Sequence, residues 1–444
     1  MSEIALPKVD RTIVSKKDLI VNNLKQFTDK KNVLSELDEI RPYETDALAA
    51  YKNLPLAVVL PENTQEVSEI LKFCHRENIK VIPRGAGTGL SGGALPLNDA
   101  ILLGLGKFNK ILDIDFYNKC VKKNQCLSTG SGTDALHLSY ILAGLKKGDE
   151  VIAPLFTCTA TNIPFLYMGV KIKFADIDPD TMNISVQSVK KLISKKTKAI
   201  ICMHYGGLPC DLDELQKLAN KNKIPLIEDA AHALGATFKN QPIGSISDFT
   251  MFSFQAIKHI TTADGGMLCI KNKKLMKKAK RIRWFGIDRE KKQKATWEND
   301  IFEVGYKYQM TDLGASVGLE GLKDFKKILQ HRKNIFNIYL DRLSKNKNIK
   351  CVHKEDGKRT HAAWLFTIIS RKKDLIQKKL REKKIESNQV HFRNDKYSIF
   401  KNFVKGKKYP NMDYAENKYL TIPVHHKVST QKAKYIADLI NKIV

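Results

Sequence analysis

Lys258 stands just beyond an apolar stretch, Asp248-Phe249-Thr250-Met251-Phe252-Ser253-Phe254-Gln255-Ala256-Ile257, that reads as a buried strand. An amine held in a partly apolar pocket can condense with an aldehyde and later carry a proton between two carbon atoms. A solvated lysine at a strand terminus has the same spacing. Asp229 closes a second apolar run, Ile224-Pro225-Leu226-Ile227-Glu228. A carboxylate emerging from such a run is costly unless it meets a cation, and a protonated pyridine nitrogen is one such cation; a cap for the following helix is the plainer use. Gly130-Ser131-Gly132-Thr133-Asp134 opens a helical stretch at 135–144. Free N–H groups and the helix dipole make such a turn a phosphate site, although an ordinary N-cap looks alike. A richer loop, Arg84-Gly85-Ala86-Gly87-Thr88-Gly89-Leu90-Ser91-Gly92-Gly93, can converge its N–H groups on a pyrophosphate or make a sharp surface turn.

These groups need a scaffold, and the intervening sequence supplies one. Strand-like runs at 150–154, 171–175, 197–203 and 224–227 alternate with helical stretches such as 211–222, which predicts a largely parallel sheet with helices on its faces. Ligands of such sheets lie beyond the carboxyl ends of the strands. Thr262-Ala263-Asp264-Gly265-Gly266 makes the tight turn after Lys258. Residues 313–343 carry a long helical pattern, and 364–369 reads as a strand. Ahead of all this, 56–60, 64–78 and 80–82 read as strand, helix and strand, a βαβ opening that delivers the chain to the Arg84 loop.

An aldehyde partner, a pyridine nitrogen and a phosphate are the three handles of pyridoxal 5′-phosphate (PLP). Ser131-Gly132-Thr133-Asp134-Ala135-Leu136, Gly148-Asp149-Glu150-Val151-Ile152, Glu228-Asp229-Ala230-Ala231-His232, Ser253-Phe254 with Lys258, and Asp264-Gly265-Gly266 together resemble the DegT/DnrJ/EryC1/StrS family of PLP-dependent sugar aminotransferases over about 126–444. The resemblance implies an α/β chain of fold type I: a mostly parallel sheet with helices on both faces, followed by a small C-terminal α/β domain. It implies Lys258 as the imine lysine, Asp229 on the pyridine nitrogen and His232 against the ring or its hydroxyl side. Gly132, Thr133 and Ser253 are then expected at the phosphate, with Asp134 a further cofactor contact. Amino transfer from glutamate to a nucleotide-linked keto sugar for polysaccharide synthesis, and a homodimer in which each subunit contributes to its neighbour's cofactor, follow from the same resemblance. Two positions depart from the family. Lys307 and Gln309 stand where asparagine and arginine are common, with Lys307 still able to reach the neighbour's phosphate as a point charge. Cys158 occupies the place of the aromatic that stacks on the cofactor, leaving Phe156 as a substitute. Arg393, in Val390-His391-Phe392-Arg393, is a candidate for a substrate carboxylate or phosphate, or a salt bridge.

The first 119 residues resemble a different enzyme. Arg41-Pro42-Tyr43-Glu44-Thr45-Asp46, the loop from Pro83 to Pro96 and Phe108-Asn109-Lys110-Ile111-Leu112-Asp113 are similar to the start of the PCMH-type FAD-binding domain of the glycolate oxidase FAD subunit. That resemblance implies an FAD pyrophosphate loop of Arg84, Gly85, Gly87, Thr88, Gly89, Leu90, Ser91 and Gly92. The family's second half of the flavin cleft has no counterpart downstream. Three domains are therefore expected: a partial α+β FAD-binding piece at 1–119, a PLP-binding large domain at 120–325 and a small domain at 326–444. Because the fragment stands where the aminotransferase arm is expected, an FAD-linked 2-hydroxy-acid oxidoreductase and an inactive fusion are the rival readings.

The formal charge of +29 would suit a nucleic-acid partner. The lysines are instead scattered along helical stretches, as in 271–280 and 372–384, with no arginine-aromatic stripe, which reads as solvated faces and a field attractive to an anionic substrate. The eight cysteines form no Cys-x-x-Cys pair and sit mostly in apolar runs, as expected of reduced thiols in a cytoplasmic protein; no metal set is expected. No apolar run has the length of a membrane helix.

Overall fold

The computed structural model describes residues 7–45, 51–85, 94–107, 125–288, 300–354 and 356–444. The described residues fall into two compact units, one within Met1–Asp113 and the other within Ile114–Val444.

In the first unit, β1 (Val33–Leu34), β2 (Ala57–Val59), β3 (Lys80–Arg84) and β4 (Ala100–Gly104) form one sheet in the order β1-β2-β4-β3. The expected βαβ opening is present, but β4 is inserted between its two strands and runs parallel to both. The connecting helix α1 (Thr64–Arg76) starts where Asn63 accepts from the Glu66 N–H at 3.0 Å. It buries Ile70, Phe73 and Cys74 against the sheet, whose strands β2 and β4 are buried throughout.

The second unit is built on seven strands: β5 (Gln125–Thr129), β6 (Glu150–Pro154), β7 (Lys171–Ala175), β8 (Thr197–Met203), β9 (Leu226–Asp229), β10 (Phe249–Ser253) and β11 (Gly266–Ile270). Their order is β5-β11-β10-β9-β8-β6-β7. Only β11 runs against the rest, pairing antiparallel with β5 and β10; the pairs from β10 to β7 are all parallel. The apolar runs are continuous rather than alternating because both faces of the sheet are covered. One consequence is that Thr129, Pro154, Met203, Asp229 and Ser253 all end their strands at the same edge.

Helix α2 (Gly132–Leu142) enters directly from β5 and is buried on nearly every side. At its start the chain passes so close to β11 that a Cβ on Gly266 would lie 2.3 Å from the Ser131 carbonyl oxygen. Only glycine permits that approach. Helix α3 (Thr159–Met168) follows β6, and the long α4 (Asp312–Leu343), capped by Thr311, leaves the sheet for a separate core. Its Phe325 belongs to the sheet's packing, while Ile335, Phe336, Tyr339 and Leu343 pack into the last hydrophobic cluster. That cluster covers a three-stranded antiparallel sheet of Lys350–Cys351, Phe366–Ile369 and Tyr419–Ile422, with helices Lys373–Glu382 and Thr430–Ile443. No described helix is long and apolar enough to cross a membrane.

Candidate active site

A pocket of about 560 Å³ opens at the carboxyl edge of the seven-stranded sheet, and Gly132, Thr133, Asp229, His232, Ser253 and Lys258 all line it. Six groups spread over more than a hundred positions thus come together because strand order, not sequence order, decides neighbourhood.

Asp229 ends β9 at 3% exposure. Its Oδ2 accepts from Thr161 Oγ1 at 2.6 Å, Thr157 Oγ1 lies 2.6 Å from that hydroxyl, and Oδ1 accepts from the Ala231 N–H at 3.1 Å. Burial pushes the carboxyl above its ordinary range, and these hydrogen bonds only partly oppose it. A cation in the pocket would restore the ionised form. The strand end is fixed from both sides: His204 N–H donates to the Asp229 carbonyl at 3.1 Å and Ala230 N–H to the Met251 carbonyl at 2.8 Å. On the opposite face of β9, Glu228 is fully buried, held by His204 Nε2 at 2.8 Å and Thr250 Oγ1 at 3.0 Å. His204 Nδ1 accepts from the Cys210 N–H at 3.0 Å, so Nε2 carries the proton donated to Glu228.

Lys258 is carried by a loop closed at its neck, where Phe254 N–H meets the Gly265 carbonyl at 2.8 Å and Thr262 N–H the Phe254 carbonyl at 2.9 Å. Its Nζ lies 4.1 Å from the centroid of the Trp364 ring. Burial pushes the amine down to about 8, against the opposing pull of Asp229. Trp364 also stacks on His232, with centroids 3.6 Å apart and planes 16° apart, and His391 lies parallel to His232 at 5.4 Å. Burial first, then Lys258, hold His232 well below the usual histidine range, so it is neutral; its buried Nδ1 has no hydrogen-bond partner among the described residues.

At the other end, Ser131 Oγ caps α2 by accepting from the Asp134 N–H at 3.1 Å, and the first helical bond is Ala135 N–H to Ser131 carbonyl. The N–H groups of Gly132 and Thr133 precede that bond, outside the helix's own ladder. A Cβ on Gly132 would lie 3.1 Å from the Ser253 Cβ, so the glycine keeps this end open to a ligand.

Two expected groups lie elsewhere. Asp134 does not line the pocket, its N–H being taken by Ser131; burial pushes its carboxyl up to about 6. Lys307 is exposed, bridged to Trp284 in backbone register with its Nζ 5.7 Å from the indole ring, and does not line the pocket of its own chain. In the first unit, Arg84 Nη1 donates to the carbonyls of Tyr43 at 3.2 Å and Thr45 at 2.7 Å, beside Gly85. Gly87, Thr88, Gly89, Leu90, Ser91 and Gly92 lie outside the described residues.

Three further readings change. Phe156 does not replace the missing aromatic: it is 1% exposed and packs on Tyr205 and Tyr419, while Cys158 is exposed and lines the pocket. Trp364 is the aromatic beside Lys258, and it precedes its strand, which begins at Phe366, instead of lying in it. Arg393 is no substrate anchor. It is 3% exposed and bonded to Asp395, Asp413 and Glu416. Thr157, Thr161, Trp364 and His391 were not singled out as site residues from the sequence; the Thr157/Thr161 spacing of one helical turn is the only signal that could have found any of them.

A family model described as the DegT/DnrJ/EryC1/StrS aminotransferase family matches residues 97–441. The chain belongs to this family. The match reaches back well before Gly130 and overlaps a second one, to an FAD binding domain, at 55–134. The aminotransferase resembles the GDP-perosamine synthase of Escherichia coli O157:H7, 30% identical over 74% of this chain and 88% of that one. It also resembles the UDP-4-amino-4,6-dideoxy-N-acetyl-beta-L-altrosamine transaminase of Campylobacter jejuni, 32% identical over 78% of this chain and 92% of that one. Among solved structures, a Streptococcus pneumoniae aminotransferase in its PMP form matches with a TM-score of 0.68 and 29% identity, covering 74% of this chain and 90% of that one.

The cofactor of the aminotransferase is therefore PLP, and the pocket fits it on its own terms. The desolvated amine and carboxyl, the orphan His232 Nδ1 and the Gly132 opening are each costly or unused without a ligand carrying a carbonyl, a cationic nitrogen and an anion.

Proposed function

We propose that this aminotransferase moves an amino group from glutamate to a keto group on a nucleotide-linked sugar destined for polysaccharide, as a cytoplasmic homodimer. One observation carries the reading: the Lys258 amine, depressed to about 8, shares a pocket with the buried Asp229 carboxyl and the first turn of α2. The substrate class draws on the two relatives named for GDP- and UDP-linked sugars.

Lys258 would hold PLP covalently, Asp229 its ring nitrogen, and Gly132, Thr133 and Ser253 its phosphate, with His232 at the ring. Bound there, PLP supplies an electron sink for the carbon that loses a proton. The residues do the rest. Lys258 Nζ, largely deprotonated only near or above its lowered pKa, takes that proton and returns it to the neighbouring carbon. The Asp229 carboxylate, oriented by Thr161 and the Ala231 N–H, keeps the ring nitrogen protonated. Trp364 and His391 flank the His232 ring on the pocket wall and fix its plane.

The dimer is supported by an apolar surface at Ile301, Phe302, Val304, Leu313 and Val317, all at least half exposed. It lies in the same stretch of chain as Lys307, whose charge is then available to the partner's phosphate. The seven described cysteines are free, in keeping with a reducing compartment. The divisions at 119 and 325 belong to the same reading.

Purified full-length protein given excess PLP is expected to show a visible absorption band that glutamate shifts and that is absent from Lys258→Ala. No band in the wild type would overturn the proposal. The FAD match at 55–134 favours a second, independent reading of the first unit as flavin-binding. Flavin fluorescence released on denaturation would establish it, and the chemistry above does not use it.

A further inference from the structure

Two thiols face each other at the edge of the seven-stranded sheet. Strand β5 lies at the end of the sheet and pairs only with β11 among the described residues, and Cys126 on β5 stands directly opposite Cys269 on β11. Their Sγ atoms are 2.9 Å apart. We propose that this pair is a modification site, at which a peroxide joins Cys126 to Cys269 in a reversible disulfide that ties β5, and the phosphate turn it leads into, to the sheet.

Directly opposed residues of an antiparallel pair have Cα atoms about 4.5–5.5 Å apart, inside the span of about 4.4–6.8 Å that a disulfide bridges. Both side chains pack into one cluster with Phe252, Phe254 and Met267, so neither strand has to turn for the bond to form. Access differs between the two. Cys269 is fully buried, and burial pushes its thiol up, whereas Cys126 is half-buried. A small oxidant therefore meets Cys126 first, and Cys269 resolves it. Other thiols lack this combination. Cys202 and Cys210 interact, but both are fully buried. Cys158 is exposed and is the one thiol lining the cofactor pocket among the described residues.

The Cys126 sulfur, as its thiolate, attacks the O–O bond of hydrogen peroxide; it keeps one oxygen as a sulfenic acid, and the other leaves as water once protonated. The Cys269 sulfur then displaces the hydroxyl, gives up its proton, and a second water leaves. Two thiols are oxidised and one peroxide is reduced to two waters. Because β5 runs straight into Ser131 and Gly132, the bond fixes the strand that delivers the cofactor's phosphate turn. It also closes a loop between residues 143 positions apart, which removes much freedom from the unfolded chain.

The test is to treat the PLP-loaded full chain with hydrogen peroxide, alkylate it, digest it without reduction and identify cross-linked peptides by mass spectrometry. The peptides carrying Cys126 and Cys269 are expected to be joined with the loss of two hydrogens, and dithiothreitol should restore two alkylatable thiols. The oxidised protein is expected to melt about 5 °C above the reduced one, a shift absent from Cys126→Ser. In Cys269→Ser, Cys126 should instead stop at a sulfenic acid that dimedone traps. Retention of the visible cofactor band shows that the variants are folded. Oxidation of wild-type Cys126 to a sulfinic acid with no linked peptide, or a link from Cys126 to Cys120 or any other cysteine, would overturn the proposal. So would a linked protein that melts with the reduced one, because β5 would then not be tied.

Discussion

Lys258, half-buried at the pocket, and Arg393, buried, are both cations of the second unit withdrawn from solvent, yet their surroundings drive them in opposite directions. Around Arg393, Asp395 takes Nε at 2.8 Å and Nη2 at 2.7 Å, while Asp413 at 2.5 Å and Glu416 at 3.2 Å take Nη1. Burial works to lower its pKa, and the carboxylates more than reverse this, so the guanidinium is locked in its charged form. Around Lys258 there is an indole face at 4.1 Å, and no ion pair among the described residues. Burial wins there, and the amine's pKa is brought down to about 8. A buried cation whose carboxylates are supplied by the fold is a strut; one denied them is available for chemistry.

The comparison can be broken most sharply at the strut. Arg393→Met leaves Asp395, whose side chain is 9% exposed, without its partner, while Glu416 keeps Lys396, and is expected to cost about 3–5 kcal/mol of stability, read by urea denaturation. Activity per folded molecule should survive. If the variant instead unfolds like wild type and loses turnover, Arg393 belongs with the site after all.

Asp229→Asn should show the reverse split. The side chain keeps its shape but can no longer hold a proton on the ring nitrogen, so the glutamate reaction is expected to slow by roughly 10²–10³. Its Tm should stay close to wild type, because the lost charge was itself penalised by burial. A stopped-flow trace of the cofactor band decides the rate.

How much of this was legible beforehand differs between the two cations for a physical reason. Lys258, Asp229 and the Gly132 turn could be read because each ends or opens a strongly apolar element, and such ends converge at one edge of a parallel sheet. Arg393 could not be read correctly, since the partners that neutralise it lie up to 23 residues away in a loop and a short helix with no periodic signal. Trp364 was invisible as a site residue for the same reason: its place beside Lys258 depends on how the second, smaller sheet meets the first. The insertion of β4 between β2 and β3 was also beyond the sequence, which shows which strands exist more readily than how they are ordered.

A smaller effect tests whether the site depends on the close passage of β11 past α2. Gly266→Ala puts a Cβ 2.3 Å from the Ser131 carbonyl oxygen, against backbone that cannot swing aside. The expected cost is about 1–3 kcal/mol, with PLP affinity falling as the Gly132 and Thr133 N–H groups are displaced. Equilibrium dialysis of PLP against the variant measures this. Unchanged affinity would show that the turn tolerates the shift.

The smallest effect is a pH dependence in protein stripped of PLP. Lys258 has a folded pKa of about 8 against an ordinary value of 10.5. Between these values the unfolded chain binds the proton that the folded chain has released, so this residue makes stability rise with pH across the window. Below about 8 both states carry the charge, and the folded state bears its full desolvation cost. Lys258→Met lacks that cost at every pH. The variant's Tm advantage over wild type should therefore be largest near neutrality and shrink as pH rises toward 10.5, other lysines cancelling in the difference. Arg393→Met offers the contrast, because a guanidinium locked in its charged form contributes no such slope. A constant Tm difference for Lys258→Met would mean that the amine is not depressed by burial, and the distinction between the two cations would fall.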